Sequence, residues 1–169
     1  MNLNQPLILS FQLNLDERGS FSTPFTQESL SLLNVSEAYI SISRTKSAYT
    51  IRGMHFQEEP YSENKLVTVL EGSVTDVLID LHALNQGKLV THKFDLDSQR
   101  PEVLFIPRGF AHGYQTLADN TAILYALDSK YEKNATQGFS PLSDGVKELW
   151  PANPELINEV DLKWPEISL

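Results

Sequence analysis

The chain has 169 residues, 41% of them hydrophobic and 21% charged, which is ordinary for one soluble domain spanning 1–169 around a sizeable core. Zero cysteines exclude a disulfide framework, a thiolate metal site and a cysteine nucleophile, and a net charge of -9 argues against nucleic acid as a partner of the bulk surface. No apolar run approaches the roughly 18 residues of a membrane helix, and Met1–Pro6 lacks the basic and apolar pattern of an export leader. A cytoplasmic protein with no membrane partner is therefore expected.

Short β-branched and aromatic segments bounded by turn formers dominate the chain. Leu7–Leu13 reads as a strand. Asp16-Glu17-Arg18-Gly19 reads as a turn leading to Phe21, and Gln27–Leu33 as one short helix. Strands follow at Ala38–Ser43, Ile51–Gln57, Lys65–Glu71, Val74–Leu81, Leu89–Leu96, Glu102–Ile106, Tyr114–Leu117 and Ala122–Leu127. The tight Glu71-Gly72-Ser73 connection predicts a hairpin between its flanking strands. Ser143–Leu149 and Pro154–Val160 predict two short helices, the second with Asn153 as N-cap and Pro154 at its first position. So many short strands with regular turns imply an all-β sandwich or barrel.

Two segments carry the candidate chemistry: Ile51-Arg52-Gly53-Met54-His55-Phe56-Gln57 and Ile106-Pro107-Arg108-Gly109-Phe110-Ala111-His112-Gly113-Tyr114. Each sets an imidazole beside glycines and a basic residue, and each imidazole can bind a metal, move a proton or simply pack. A barrel metal site usually takes three or four imidazole or carboxylate ligands. Here Gln57 stands where a His-x-His pair would need its second histidine, His82 follows a strand end, and His92 alternates with Val90 and Phe94 as a packing residue. No metal is expected. Gly53 permits a bulge that would turn both Arg52 and His55 inward. Lys65 is either a solvated strand-edge lysine or one pointing into the barrel mouth, and Tyr125 is either a core tyrosine or a phenolic acid facing a histidine base.

At these residues the chain resembles the dTDP-4-dehydrorhamnose 3,5-epimerase family. The resemblance is carried by Asp16-Glu17-Arg18-Gly19-Ser20-Phe21, Arg52-Gly53-Met54-His55-Phe56-Gln57, Lys65-Leu66-Val67, Gly72-Ser73-Val74-Thr75-Asp76-Val77, Ile106 to Gly113, and Trp150-Pro151, in order and spacing over roughly residues 7–165. It implies a jelly-roll (cupin-like) barrel with short C-terminal helices, usually a homodimer, needing no metal or organic cofactor. The implied substrate is a nucleotide-diphosphate 4-keto-6-deoxy sugar, whose ketone acidifies the protons at C3 and C5. By the same resemblance, His55 would be the base and Asp161 the carboxylate orienting it, with Asp128 and Asp144 as fallbacks. Lys65 would stabilise the enolate and Tyr125 return a proton on the opposite face. Arg52, Gln57 and His112 would line the sugar and diphosphate site, while Arg18, Phe21 and Tyr131 would contact the nucleotide.

The chain departs from the family pattern at its recognition positions. Thr23 stands where the family often has Glu, and Tyr39 and Ser41 replace a Gln and an Asn. Leu81–Gly87 replaces an Arg followed by Ser-Pro-Thr-Phe-Gly. These changes spare the implied chemistry and predict a variant substrate. The competing readings are a nucleotide-sugar ketoisomerase, which His55-Phe56-Gln57 disfavours, and a non-catalytic sugar-nucleotide-binding barrel, which the joint presence of His55, Lys65 and Tyr125 disfavours.

Overall fold

The computed structural model describes residues 4–169; Met1–Leu3, the start of the segment read for a leader, lie outside them. One antiparallel sheet runs β1 (Leu7–Ser10), β9 (Glu102–Ile106), β6 (Lys65–Glu71), β11 (Thr121–Leu127), β4 (Tyr39–Thr45). The facing sheet runs β12 (Thr136–Gly138), β5 (Thr50–Gln57), β10 (Phe110–Thr116), β7 (Ser73–Asp80), β8 (Thr91–Asp97). The short strand β13 (Leu156–Ile157) adds in parallel to β5. β2 (Leu13–Asp16) and β3 (Gly19–Ser22) pair only with each other. From β4 to β7, and again from β8 to β11, successive strands alternate between the sheets. This is the expected all-β jelly-roll, cupin-like barrel.

Period-two alternation divides the side chains among three apolar layers. Val67 and Val69 of β6, Val74 and Leu78 of β7, and Ile123 of β11 meet between the sheets. Ile51, Met54, Val77 and Ile79 face the other way, under Val146 and Trp150 of the C-terminal segment. Leu66, Val103 and Phe105 are covered by the N-terminal strand and the short helix α1 (Gln27–Ser31). Both faces of each sheet are therefore buried in part, which is why many strands read as nearly continuous apolar runs.

Four expectations are corrected. Glu71-Gly72-Ser73 is not a hairpin: Gly72 (φ +76°) turns the chain from one sheet to the other, because β6 already has β9 and β11 as neighbours and β7 has β10 and β8. The strand read as Tyr114–Leu117 begins at Phe110, so His112 lies inside β10. Ser143–Leu149 forms only a 3-10 turn at Lys147–Leu149, since Val146 and Trp150 are drawn into the core. Pro154–Val160 is not a helix: Leu156 and Ile157 pair with Thr50 and Ile51 of β5, and the helix starts later, as α3 (Glu159–Leu162), capped by the side chain of Asn158 and not by Asn153. A further one-turn helix, α2 (Leu81–Leu84), is capped by Asp80.

Candidate active site

The barrel mouth opens into a cavity of about 780 Å³ whose walls include Arg52, His55, Gln57, Lys65, His112, Tyr125, Tyr131 and Asp161. Strand alternation alone would put Arg52 and His55, three residues apart, on opposite faces. A register shift in the β5–β10 ladder re-phases the strand so that both reach the cavity, while Met54 packs into the outer core. Gly53 makes this possible. Its φ is +134°, and a Cβ there would lie 2.4 Å from the Cα of Gly113.

The shift leaves the Gly53 N–H outside the strand ladder, and Asp161 accepts it through Oδ2 at 3.3 Å. Asp161 Oδ1 stands 2.7 Å from His55 Nε2. One buried carboxylate thus clamps both the bulge and the imidazole, whose side chain is 39% exposed at the cavity wall. An N–H on Nε2 donating to Asp161 leaves Nδ1 with its lone pair, the tautomer a base requires. α3 can deliver this carboxylate because β13 anchors it beside Thr50 and Ile51. The fallbacks lie elsewhere: Asp128 binds Asn64 and Arg108, and Asp144 binds Lys147 at the surface.

His112 forms a second dyad: its Nε2 lies 2.8 Å from Oδ2 of Asp76, which is fully buried on β7. Burial pushes the Asp76 carboxyl up, and His112 opposes the shift. The Tyr125 ring meets His112 edge-on, with centroids 6.4 Å apart. Burial, then the Tyr114 phenol and the Asp76 carboxylate, push the Tyr125 phenol well above the usual range, so it is a neutral donor near pH 7.

Lys65 is not a solvated edge lysine. Its Nζ lies 2.9 Å from Oε1 of Glu63, with both side chains about nine-tenths buried. Gln57 holds the other Glu63 oxygen, donates to the Tyr61 and Lys130 carbonyls, and accepts the Glu132 N–H. It therefore straps the segments before β6 and after β11 to β5. Breaking a buried pair leaves an uncompensated charge costing about 3 kcal/mol. Lys65→Met is expected to lower Tm, and adding Glu63→Gln should recover most of the loss in a thermal melt. Additive losses would show that the two groups are not coupled.

Arg52 donates Nε to Thr45 Oγ1 at 3.1 Å and, among the described residues, has no carboxylate partner. Tyr131 stands at the rim, 70% exposed. Arg18 and Phe21 are not brought to the cavity. They ride on the β2–β3 hairpin, Arg18 paired with Asp16 and Phe21 73% exposed. His82 is exposed against Gln86, and His92 packs its ring edge-on to Phe110, as expected of each. Among the described residues no group of three or more His, Asp or Glu is placed to hold a metal ion, and no helix is long and apolar enough to cross a membrane.

Asp76, Glu63 and Tyr114 are additional site residues that the sequence reading did not single out. Asp76 had a signal, a charge on the inward face of β7 between Val74 and Leu78. Glu63 lies in an irregular segment and had none.

The barrel and the two His–Asp dyads beside its cavity define a jelly-roll protein equipped for proton transfer. The match to known proteins is specific: residues 1–168 fit the dTDP-4-dehydrorhamnose 3,5-epimerase family, and the chain belongs to it. The Salmonella typhimurium strain LT2 enzyme of that name is 32% identical, with 94% of this chain and 80% of that one covered. The Shigella flexneri enzyme is 30% identical, covering 93% and 89%. The Bacillus anthracis str. Ames crystal structure of dTDP-4-dehydrorhamnose 3,5-epimerase, with TDP and PPi bound, aligns with a TM-score of 0.86 at 28% identity, covering 98% and 96%.

Proposed function

We propose that this chain, as one domain, epimerises a dTDP-linked 4-keto-6-deoxy sugar at C3, C5 or both, in deoxysugar biosynthesis, by removing and returning a proton through an enolate. One observation supports this above the others: the His55–Asp161 dyad, Lys65 and Tyr125 line a single cavity. In this reading His55 Nδ1 takes the proton next to the ketone. Lys65 and His112 hold the enolate oxygen, and Tyr125 protonates the opposite face. Arg52, which has no carboxylate partner among the described residues, takes the diphosphate. The reaction draws on no metal or organic cofactor, and we place the protein in the cytoplasm, away from membrane and nucleic acid. Ser41, on the cavity wall where the family carries an amide, alters the recognition rim and favours a variant sugar.

The test is solvent deuterium incorporation, followed by NMR, into dTDP-, CDP- and GDP-linked 4-keto-6-deoxy sugars. Exchange that vanishes in His55→Ala is the expected result. Absence of exchange with every sugar would instead favour the binding barrel.

Arg18 and Phe21 enter through a homodimer. The β2–β3 hairpin exposes Leu15 and Phe21, and the edge strand β4 exposes Tyr39, Ile40 and Ile42, with no cover from the other described residues. Pairing these surfaces buries both and brings the hairpin of one protomer to the cavity of the other. Light scattering should report a dimer for the wild type and a shift towards monomer for Phe21→Asp, with a raised KM. A monomeric wild type would refute this arrangement.

A further inference from the structure

Trp164 follows the helix that carries Asp161 and lines the same cavity. Its indole rests on Gly138: a Cβ added there would lie 2.9 Å from both Cδ1 and Cε2, with the nitrogen between them no nearer. An edge-on ring would bring that nitrogen closest, so the five-membered ring lies flat on the glycine. Gly138 in turn stands opposite His55 in the β5–β12 ladder. The Pro165 carbonyl accepts the Ser140 N–H at 2.8 Å and fastens the segment just beyond the indole.

The surface that Trp164 gives to the cavity is hydrocarbon, because its one polar atom, Nε1, is buried and has no hydrogen-bond partner among the described residues. Val160, four residues earlier and 59% exposed, lines the cavity too. The hydroxyl-bearing residues Ser41, Ser43 and Tyr125 line it from other strands, β4 and β11. The cavity is thus two-sided, apolar on the C-terminal segment beside the base and polar on β4 and β11.

We propose that Trp164 and Val160 form a subsite for the methyl group on C5 of the bound sugar. This rests on the substrate reading above and adds to it how a 6-deoxy sugar is told from one with a 6-hydroxyl. In a 4-keto-6-deoxy sugar the methyl is attached to C5, one of the two carbons whose protons the ketone acidifies. A base that reaches the C5 proton therefore stands beside the methyl, and the wall beside His55 is the hydrocarbon one. A methyl group on that wall leaves water for apolar contact. A hydroxyl there would give up its water and find no donor or acceptor, a loss of about tenfold in affinity.

The experiment is calorimetric titration with dTDP-6-deoxyglucose and dTDP-glucose, which lack the ketone and do not react, with dTDP alone as the reference. Wild type is expected to bind the 6-deoxy sugar about tenfold more tightly than its 6-hydroxy counterpart. Trp164→Phe, which keeps a hydrocarbon ring, should retain that preference. Trp164→Gln should abolish it. Val160→Ser, at an exposed position where folding is not at stake, should cut it to about threefold, and dTDP affinity should hold in all three variants. Equal affinity of the wild type for the two sugars would overturn the subsite, and so would a preference that survives both Trp164→Gln and Val160→Ser. A matching loss of dTDP affinity in Trp164→Gln would put the indole against the nucleotide and overturn it too. A wild type that binds neither dTDP nor either sugar nucleotide is a separate outcome that removes the substrate reading itself.

Discussion

Asp161→Asn is expected to lower kcat for sugar epimerisation by about 10³-fold, within the range for loss of a general base, with little change in KM. An amide is nearly the same size, so the cavity keeps its shape. It can, however, turn its N–H2 towards His55 Nε2 and favour the tautomer that carries the proton on Nδ1. The nitrogen facing the sugar then has no lone pair to offer. His55→Ala should lose at least as much, and the double variant little more than His55→Ala, because both changes disable one device. Steady-state kinetics on the three variants, with titration of dTDP to show that binding survives, checks this. A fall confined to KM would assign the dyad to recognition.

Gly53→Ala is expected to have the largest effect on the fold. Its methyl group would lie 2.4 Å from Gly113 Cα and 2.9 Å from the His112 carbonyl oxygen, at a backbone conformation that alanine resists. The neighbours are main chain and cannot rotate away. A loss of about 3 kcal/mol, roughly 10 °C in Tm for a chain of this size, is expected. Activity should fall with it even in the surviving folded fraction, since re-phasing β5 moves His55 relative to Asp161. A variant that melts with the wild type would mean that the strand tolerates another register.

The inner strands were legible in the sequence because their signal is local. Val67, Val69, Val74 and Leu78 alternate as strand residues must, and Gly53 announced a bulge between two residues that both had to face inward. The relation between strands was less legible. Gly72 suits a hairpin or a corner equally, and only the neighbours already taken by β6 and β7 decide for the corner. The C-terminal segment misled for a similar reason: Asn153-Pro154 is a sound helix start, but the open edge of β5 offers Leu156 and Ile157 backbone partners that no local pattern records. His55, Lys65 and Tyr125 were visible as residue types on strands. Of their polar neighbours, Asp76 left a trace as a charge on the inward face of β7, whereas Glu63 and Tyr114 became visible only once the barrel closed.

The base and its orienting carboxylate are 106 residues apart in the chain. Asp161 follows every strand of both sheets, whereas His55 sits on the fifth strand of thirteen. During synthesis the two sheets can therefore be complete before the dyad exists. A chain broken off anywhere before residue 161 would be a container whose base lacks its orienting carboxylate, so full catalytic activity in this protein certifies that translation has passed residue 161.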